Sequence, residues 1–251
     1  MAGILLEIVA STAEDCIAAE RGGADRIELC AAIGTGGLTP SLGTVIEARK
    51  SVRIPVITMV RPRAGGFCYS PEDFATMRRD AALLLEHGAD GIAFGILQSD
   101  GSIDTHRSGE LVEIANGKQT VFHRAFDVVP DASNALEELI DLGFTRVLTS
   151  GQKKTAMEGR ELIRSLIAQA ATRIEVLPGG GVRALNVRQL VAATGCTQVH
   201  LTAFSMRIDT STSGSCVNFG GLPGSPSGSY EGVDPELVRR MRETLDFESG
   251  T

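Results

Sequence analysis

Four short stretches of this chain share one plan. "GGADRIEL" around Gly23, "HGADGIAF" around Gly88, "LGFTRVLT" around Gly143 and "TGCTQVHL" around Gly195 each close an apolar helical stretch at a glycine. A few residues later each begins a short apolar strand. A glycine just past a helix takes up the left-handed backbone conformation that ends many helices. The four glycines are 65, 55 and 52 residues apart, about twice the length of one β/α unit. Double spacing demands a further strand in every gap, and the gaps hold ILLEI (4–8), IPVITMV (54–60), QTVFH (119–123) and RIEVL (173–177). Strand and helix alternating eight times predict a closed, parallel (β/α)8 TIM barrel, one domain across 1–251. A doubly wound open sheet would carry its glycine fingerprint after the first strand, where this chain reads EIVASTAED.

The helices are marked at their starts. Ser11 with Glu14 has capping-box spacing before the first, and Ser70 followed by Pro71 opens the third. In that third helix Phe74, Met77, Ala81, Leu84 and Leu85 form one apolar face. Leu136, Leu139 and Ile140 do the same for the fifth. With no Trp and 4% aromatics, the core must be built from Ile, Leu, Val and Ala, as in parallel sheets covered by helices. Between 207 and 232 the chain turns Ser/Gly-rich and loses any helix or strand period. That stretch reads as a loop after strand eight, either a mobile lid or disordered. A last helix over about 234–246 closes the barrel.

Function in such a barrel sits at the C-terminal ends of the strands. Those positions carry Glu7, Glu28 with Cys30, Arg61, His123 with Arg124, Ser150 with Gln152, the glycines 179–181, and His200 with Thr202. Packing alone does not call for so many charged groups, because a buried unpaired charge is costly. Two adjacent carboxylates, Glu7 and Glu28, raise one another's pKa unless a cation intervenes, and Arg61 on the next strand is placed to supply it. The set reads either as a Glu–Arg network tying the barrel mouth or as a general acid or base beside an anion-holding arginine. His123 shares a face with Val121 and can transfer protons or bind a metal. Asp127 either joins it or holds the loop. Backbone N–H groups of Gly179, Gly180 and Gly181, with Ser150 nearby, can cradle a phosphate or carboxylate, or simply make a tight turn. The reading that gathers these residues is proton transfer at carbon: an isomerase, epimerase or lyase acting on a small anionic or sugar-like molecule. Glu7, Glu28 or His123 then acts as base, with Arg61 and Arg124 steadying an oxyanion.

The partners implied are small molecules. A formal charge of −7 and a pI near 5.2 argue against nucleic acid and anionic membranes. No apolar run approaches a membrane span, and the first residues lack a basic leader, so a cytoplasmic protein is expected. The five cysteines are odd in number and lack C-x-x-C spacing, so they form no disulfide framework. Cys30, Cys68 and Cys216 fall on the functional side, and soft Cu(I) favours thiolate ligands.

LLEIVAST, GGADRIELCAAIGTGGLTPSLG, IPVITMVRPRAGGFCYS, GADGIAFGILQSDGSID, VFHRAFD, RVLTSGQ and PGGGVR together resemble the CutC family, often called copper homeostasis proteins. The likeness runs from about residue 4 to 204. It implies a cytosolic TIM barrel, a homodimer or larger assembly, and a role in copper handling with copper(I) as ligand. Copper binding in the family has been attributed to a cysteine pair. One member corresponds to Cys30; the other position is Val9 here. Thiolate binding in this chain then calls on Cys68, Cys216 or a partner chain.

Overall fold

A computed structural model describes residues 3–212 and 228–246. Strands β1 (Leu5–Ala10), β2 (Arg26–Leu29), β3 (Val56–Met59), β4 (Gly91–Phe94), β5 (Gln119–Phe122), β6 (Arg146–Thr149), β7 (Glu175–Pro178) and β8 (Gln198–Leu201) form one sheet. Its order is β7-β6-β5-β4-β3-β2-β1-β8, and the neighbours pair in parallel. A single Gly179–His200 bridge joins β7 to β8 and completes the ring. The predicted TIM barrel is therefore present. Around it lie α1 (Ala13–Gly22), α2 (Leu42–Ser51), α3 (Pro71–Glu86), α4 (Thr105–Ala115), α5 (Ala132–Asp141), α6 (Arg160–Ala170), α7 (Val187–Thr194) and α8 (Pro235–Asp246).

The glycine plan read from the sequence corresponds to real helix ends. Gly23, Gly88, Gly143 and Gly195 all have positive φ, from +73° at Gly195 to +102° at Gly88. The buried face of α3 consists of the five residues read from its periodicity, and Ser70 and Asp73 make its capping box. The first helix differs. Its cap is Thr12, whose hydroxyl accepts from the Asp15 N–H at 3.0 Å, while Asp15 accepts from the Ser11 N–H at 3.1 Å. The helix begins one residue later than expected, and the shorter, buried Asp15 replaces Glu14 as the reciprocal partner.

The stretch 207–232 also departs from expectation at both ends. β9 (Phe204–Ile208) and β10 (Ser229–Val233) pair antiparallel as a ribbon, from Ser229 beside Ile208 to Val233 beside Phe204. Arg207 fixes it by donating to Glu14 and to the Val233 carbonyl, and the Val233 N–H donates to Asp15. These long-range partners supply what local periodicity does not show. Residues 213–227, on which the expectation of a mobile or disordered lid falls, and Cys216 among them, lie outside the described residues.

Strand alternation sorts the side chains into two cores. Leu6, Ile8 and Ala10 of β1 face the helices and join the large core between sheet and helices. Val9, Cys30, Ile57, Met59, Ala93, Val121, Leu148 and Leu177 fill the barrel itself. One inward step nearer the N-terminal ends of the strands, the filling turns polar.

Candidate functional site

That polar layer is a floor. Parallel pairing sets Glu7 level with Arg26 on one side and His200 on the other. Glu7 accepts from Arg26 Nε through Oε2, and its Oε1 lies 2.7 Å from His200 Nδ1. Arg26 Nη2 donates to Gln198 at 2.7 Å. Arg146 donates to Glu175 at 2.7 Å and to Gln119 at 2.9 Å. Burial by itself pushes the Glu7 carboxyl up, but the Arg26 guanidinium, the His200 hydrogen bond and the field of Arg146 hold it well below the usual carboxylate range. Glu7 is thus a structural anion beneath the barrel mouth. The cation expected from Arg61 comes instead from Arg26 and His200.

Glu28 stands one inward step above, level with Val9. Burial and the negative charge of Glu7 push its carboxyl up, against the pull of His200 and Arg26, to about 6. The Nε2 of His200 lies 3.8 Å from Glu28 Oε2. Burial lowers the His200 pKa, but Glu28 and Glu7 outweigh it and the net direction is up. His200 therefore stands between two carboxylates that favour its protonated form.

His123 is the opposite case. Its Nδ1 accepts the Ala125 N–H at 3.2 Å, so the neutral ring carries its proton on Nε2. That Nε2 is buried and has no hydrogen-bond partner among the described residues. Burial, with Arg61 adding to it, lowers the pKa to about 3. The ring packs on Phe67 with centroids 5.0 Å apart. Gly95 makes room for it: a Cβ there would lie 2.6 Å from His123 Nδ1.

The other rim groups are engaged with their own loops. Arg61 Nη1 donates to the Thr35 and Gly37 carbonyls at 3.0 and 2.8 Å, and Nη2 to the Gly65 carbonyl at 2.8 Å. It clasps the loop after β2 to the loop after β3. Arg124 donates to Asp127 at 2.7 Å and to Ser150 Oγ at 2.8 Å. Asp127 also accepts from Thr149 Oγ1 and from the Ser150 and Gln152 N–H groups, which is the loop-holding alternative read from the sequence. The Gly179 N–H donates to the Thr149 carbonyl at 2.9 Å, and the Gly180 carbonyl accepts from the Ala156 N–H. Gly180 and Gly181 have positive φ, so the glycines shape a sharp turn after β7.

A cavity of about 180 Å³ brings together Glu28, Cys30, Arg61, His123, Arg124 and His200. Thr202 also lines it, as do Val9, Ile33, Met59, Phe67 and Leu148. Glu7 lies below it. Asp127, Ser150, Gly179, Gly180, Gly181 and Cys68 are not among its lining residues. Sequence reading missed Arg26 and passed over the part played by His200. The signal was present: Arg26 precedes Glu28 by two residues and so shares its inward face, and His200 was read at the eighth strand end without a partner.

Among the described residues Cys30 and Cys68 do not make a thiolate pair, and Cys216 lies outside those residues. Burial and the neighbouring Glu28 push the Cys30 thiol far up, so it is held protonated. Val9 is apolar, and Cys68 is exposed and does not line the cavity. Among the described residues no three His, Cys, Asp or Glu side chains are grouped to hold a metal ion.

A model of the CutC family matches residues 4–205. A CutC family protein of Treponema denticola is 48% identical over 246 residues, covering 98% of this chain and 100% of that protein. A human protein named copper homeostasis protein cutC homolog is 46% identical over 205 residues, covering 82% of this chain and 75% of its own length. The crystal structure of a CutC protein from Streptococcus agalactiae superposes with a TM-score of 0.76 at 36% identity, covering 79% of this chain and 98% of that one.

Proposed function

The chain belongs to the CutC family, and from that premise we propose that it is a barrel enzyme moving a proton at a carbon next to a carbonyl group, as isomerases, epimerases and lyases do. One observation carries the reading. His123, whose buried Nε2–H has no partner among the described residues, lines the same cavity as Glu28, whose carboxyl is pushed up to about 6. A base with such a pKa is suited to work near neutral pH. A neutral imidazole with a fixed N–H is suited to stabilise negative charge on oxygen.

Glu28 takes the proton as the C–H bond breaks, and the electron pair forms the C=C bond of an enolate. Charge collects on the former carbonyl oxygen, which accepts from His123 Nε2. The proton returns from Glu28 to the neighbouring carbon or to the same carbon. Glu7 holds the His200 ring by Nδ1, so the imidazolium keeps Glu28 from rising further and limits how tightly it binds its proton.

NMR of solvent deuterium entering the carbon next to the carbonyl, across a panel of enolisable ketones and aldehydes, tests this. Replacing His123→Phe is expected to slow the exchange by about 10²–10³-fold. A panel in which the protein exchanges nothing overturns the reading. The pH profile follows from the same groups. Exchange rises as Glu28 loses its proton around 6 and falls at higher pH as His200 loses its own. His123 stays neutral throughout, its pKa being about 3.

A copper-binding role has one observation in its favour: Cys30 and Met59, both soft donors, line the same cavity. Competition titration with a Cu(I) chelator is expected to show no tight thiolate-pair binding, with wild type and Cys30→Ala indistinguishable. Stoichiometric tight binding lost in Cys30→Ala supports the copper role instead. The cytoplasmic location and the homodimer or larger assembly implied by the family belong to this proposal. Light scattering on the purified protein tests the assembly.

A further inference from the structure

We infer that this site takes a small 2-oxo acid, an apolar body bearing one carboxylate, and that the carboxylate pairs with Arg61. This rests on the proton-transfer reading and names the class of molecule on which it acts. The charges around the cavity leave one cation over. Arg124 is matched by Asp127 at 2.7 Å, and Arg146 by Glu175 at 2.7 Å. Glu7 and Glu28 together match Arg26 and the protonated form of His200. Arg61 lines the same cavity and is only 5% exposed. Its Nη groups donate to three backbone carbonyls, which carry no charge. Its Nε is buried without a partner, and no ion pair joins Arg61 to a carboxylate among the described residues. Tyr69 feels its charge but is a neutral phenol, pushed up by burial. A buried cation without a counter-ion is costly. One unmatched positive charge complements a single negative charge on the ligand.

Arg61 and His123 meet on one ring. The Arg61 guanidinium carbon lies 5.3 Å from the Phe67 centroid, and the His123 ring lies 5.0 Å from it. Arg61 also helps to lower the His123 pKa, so each group feels the other. A 2-oxo acid carries its carboxylate and its carbonyl on adjacent carbons. Two neighbours on one ring suit that spacing: Arg61 for the carboxylate, His123 for the carbonyl oxygen. Val9, Ile33, Met59 and Leu148 supply an apolar wall for the remaining carbons. Gly36 and Gly37 line the cavity beside Arg61 with φ of +91° and +85°. A Cβ on Gly36 would lie 3.3 Å from Arg61 Nη1, and one on Gly37 3.3 Å from Cys30 Sγ. The cavity of about 180 Å³ is near the size of an engineered one that holds benzene, about 150 Å³, which limits the body to a short chain.

Three probes separate the charge from the rest of the molecule: 2-oxobutanoate, its uncharged amide 2-oxobutanamide, and dihydroxyacetone phosphate, a dianion. Saturation-transfer NMR titration measures the binding of each to wild type, Arg61→Met and Arg61→Lys. Deuterium entering the carbon next to the carbonyl is followed in the same samples. Wild type is expected to bind 2-oxobutanoate about tenfold or more tighter than the amide, and tighter than the phosphate. Arg61→Met is expected to erase the preference over the amide, and Arg61→Lys, which keeps the charge, to retain part of it. An amide or phosphate bound as tightly as 2-oxobutanoate by wild type overturns the inference. So does a preference that survives in Arg61→Met, or binding of none of the three. Arg61 also clasps two loops, so circular dichroism checks the variants; where Arg61→Met fails to fold, the wild-type comparison decides alone. Preferred binding of 2-oxobutanoate without exchange supports the inference and ends proton transfer on this molecule. Exchange into the amide or the phosphate at a lower KM overturns the inference and leaves proton transfer standing.

Discussion

Glu28→Gln is expected to lower deuterium exchange by about 10²–10⁴-fold and, in the same molecule, to make the fold more stable above the Glu28 pKa. The two effects share one cause. Burial raises the Glu28 carboxyl from 4.5 to about 6, which means the folded protein resists the charge that the base needs. A raised carboxyl pKa contributes stability that is complete below the unfolded value and is lost as pH rises through the folded one. Wild type therefore weakens between 4.5 and about 6, by about 2 kcal/mol, whereas an amide does not titrate. Urea unfolding of both proteins below and above that window checks the stability half. A variant with unchanged exchange removes Glu28 from the chemistry. Equal unfolding curves at high pH show that the carboxyl is not destabilised by its setting.

Arg26→Met is expected to have the largest effect on stability, a loss of about 3–5 kcal/mol near neutral pH. It leaves the Glu7 carboxylate buried, 2% exposed, without its guanidinium, and takes from Gln198 the donor to its side-chain oxygen. The sign with pH follows. In wild type the Glu7 pKa is depressed, so its stabilisation is present above the ordinary carboxylate range and is lost only as pH falls through the depressed value. In the variant, burial acts with less opposition and Glu7 is harder to ionise, so the gap between the proteins narrows as pH falls. Replacing both partners, Glu7→Met with Arg26→Met, is expected to recover much of the loss, because an apolar pair leaves no unpaired charge. Chemical denaturation of the three variants at two pH values measures this. A single variant as stable as wild type overturns the structural role given to the floor.

The barrel was legible because its signals are local. Gly23, Gly88, Gly143 and Gly195 mark helix ends by a backbone requirement that no neighbour can change, and the α3 face follows from periodicity. The site was legible by residue type and inward position, which is why Glu28, His123 and Cys30 meet in one cavity. Side-chain destination was not legible. Arg61 is long enough to reach a carboxylate or the carbonyls of its own loops, and spacing does not choose between them; the turns around Gly37 and Gly65 do. Strand register, absent from any local pattern, is what sets Arg26 beside Glu7. The β9–β10 ribbon escaped for a related reason. Its partners are separated by the Ser/Gly-rich stretch, and its anchors, Glu14 and Asp15, lie near the other end of the chain.

Between β7 and β8 the described backbone pairing is the single Gly179–His200 bridge, and His200 also lines the cavity. Opening the barrel like a split stave would thus begin beside the cavity. A molecule gripping His200 would act as a hoop there, slowing amide exchange along β7 and β8 before any other strand responds.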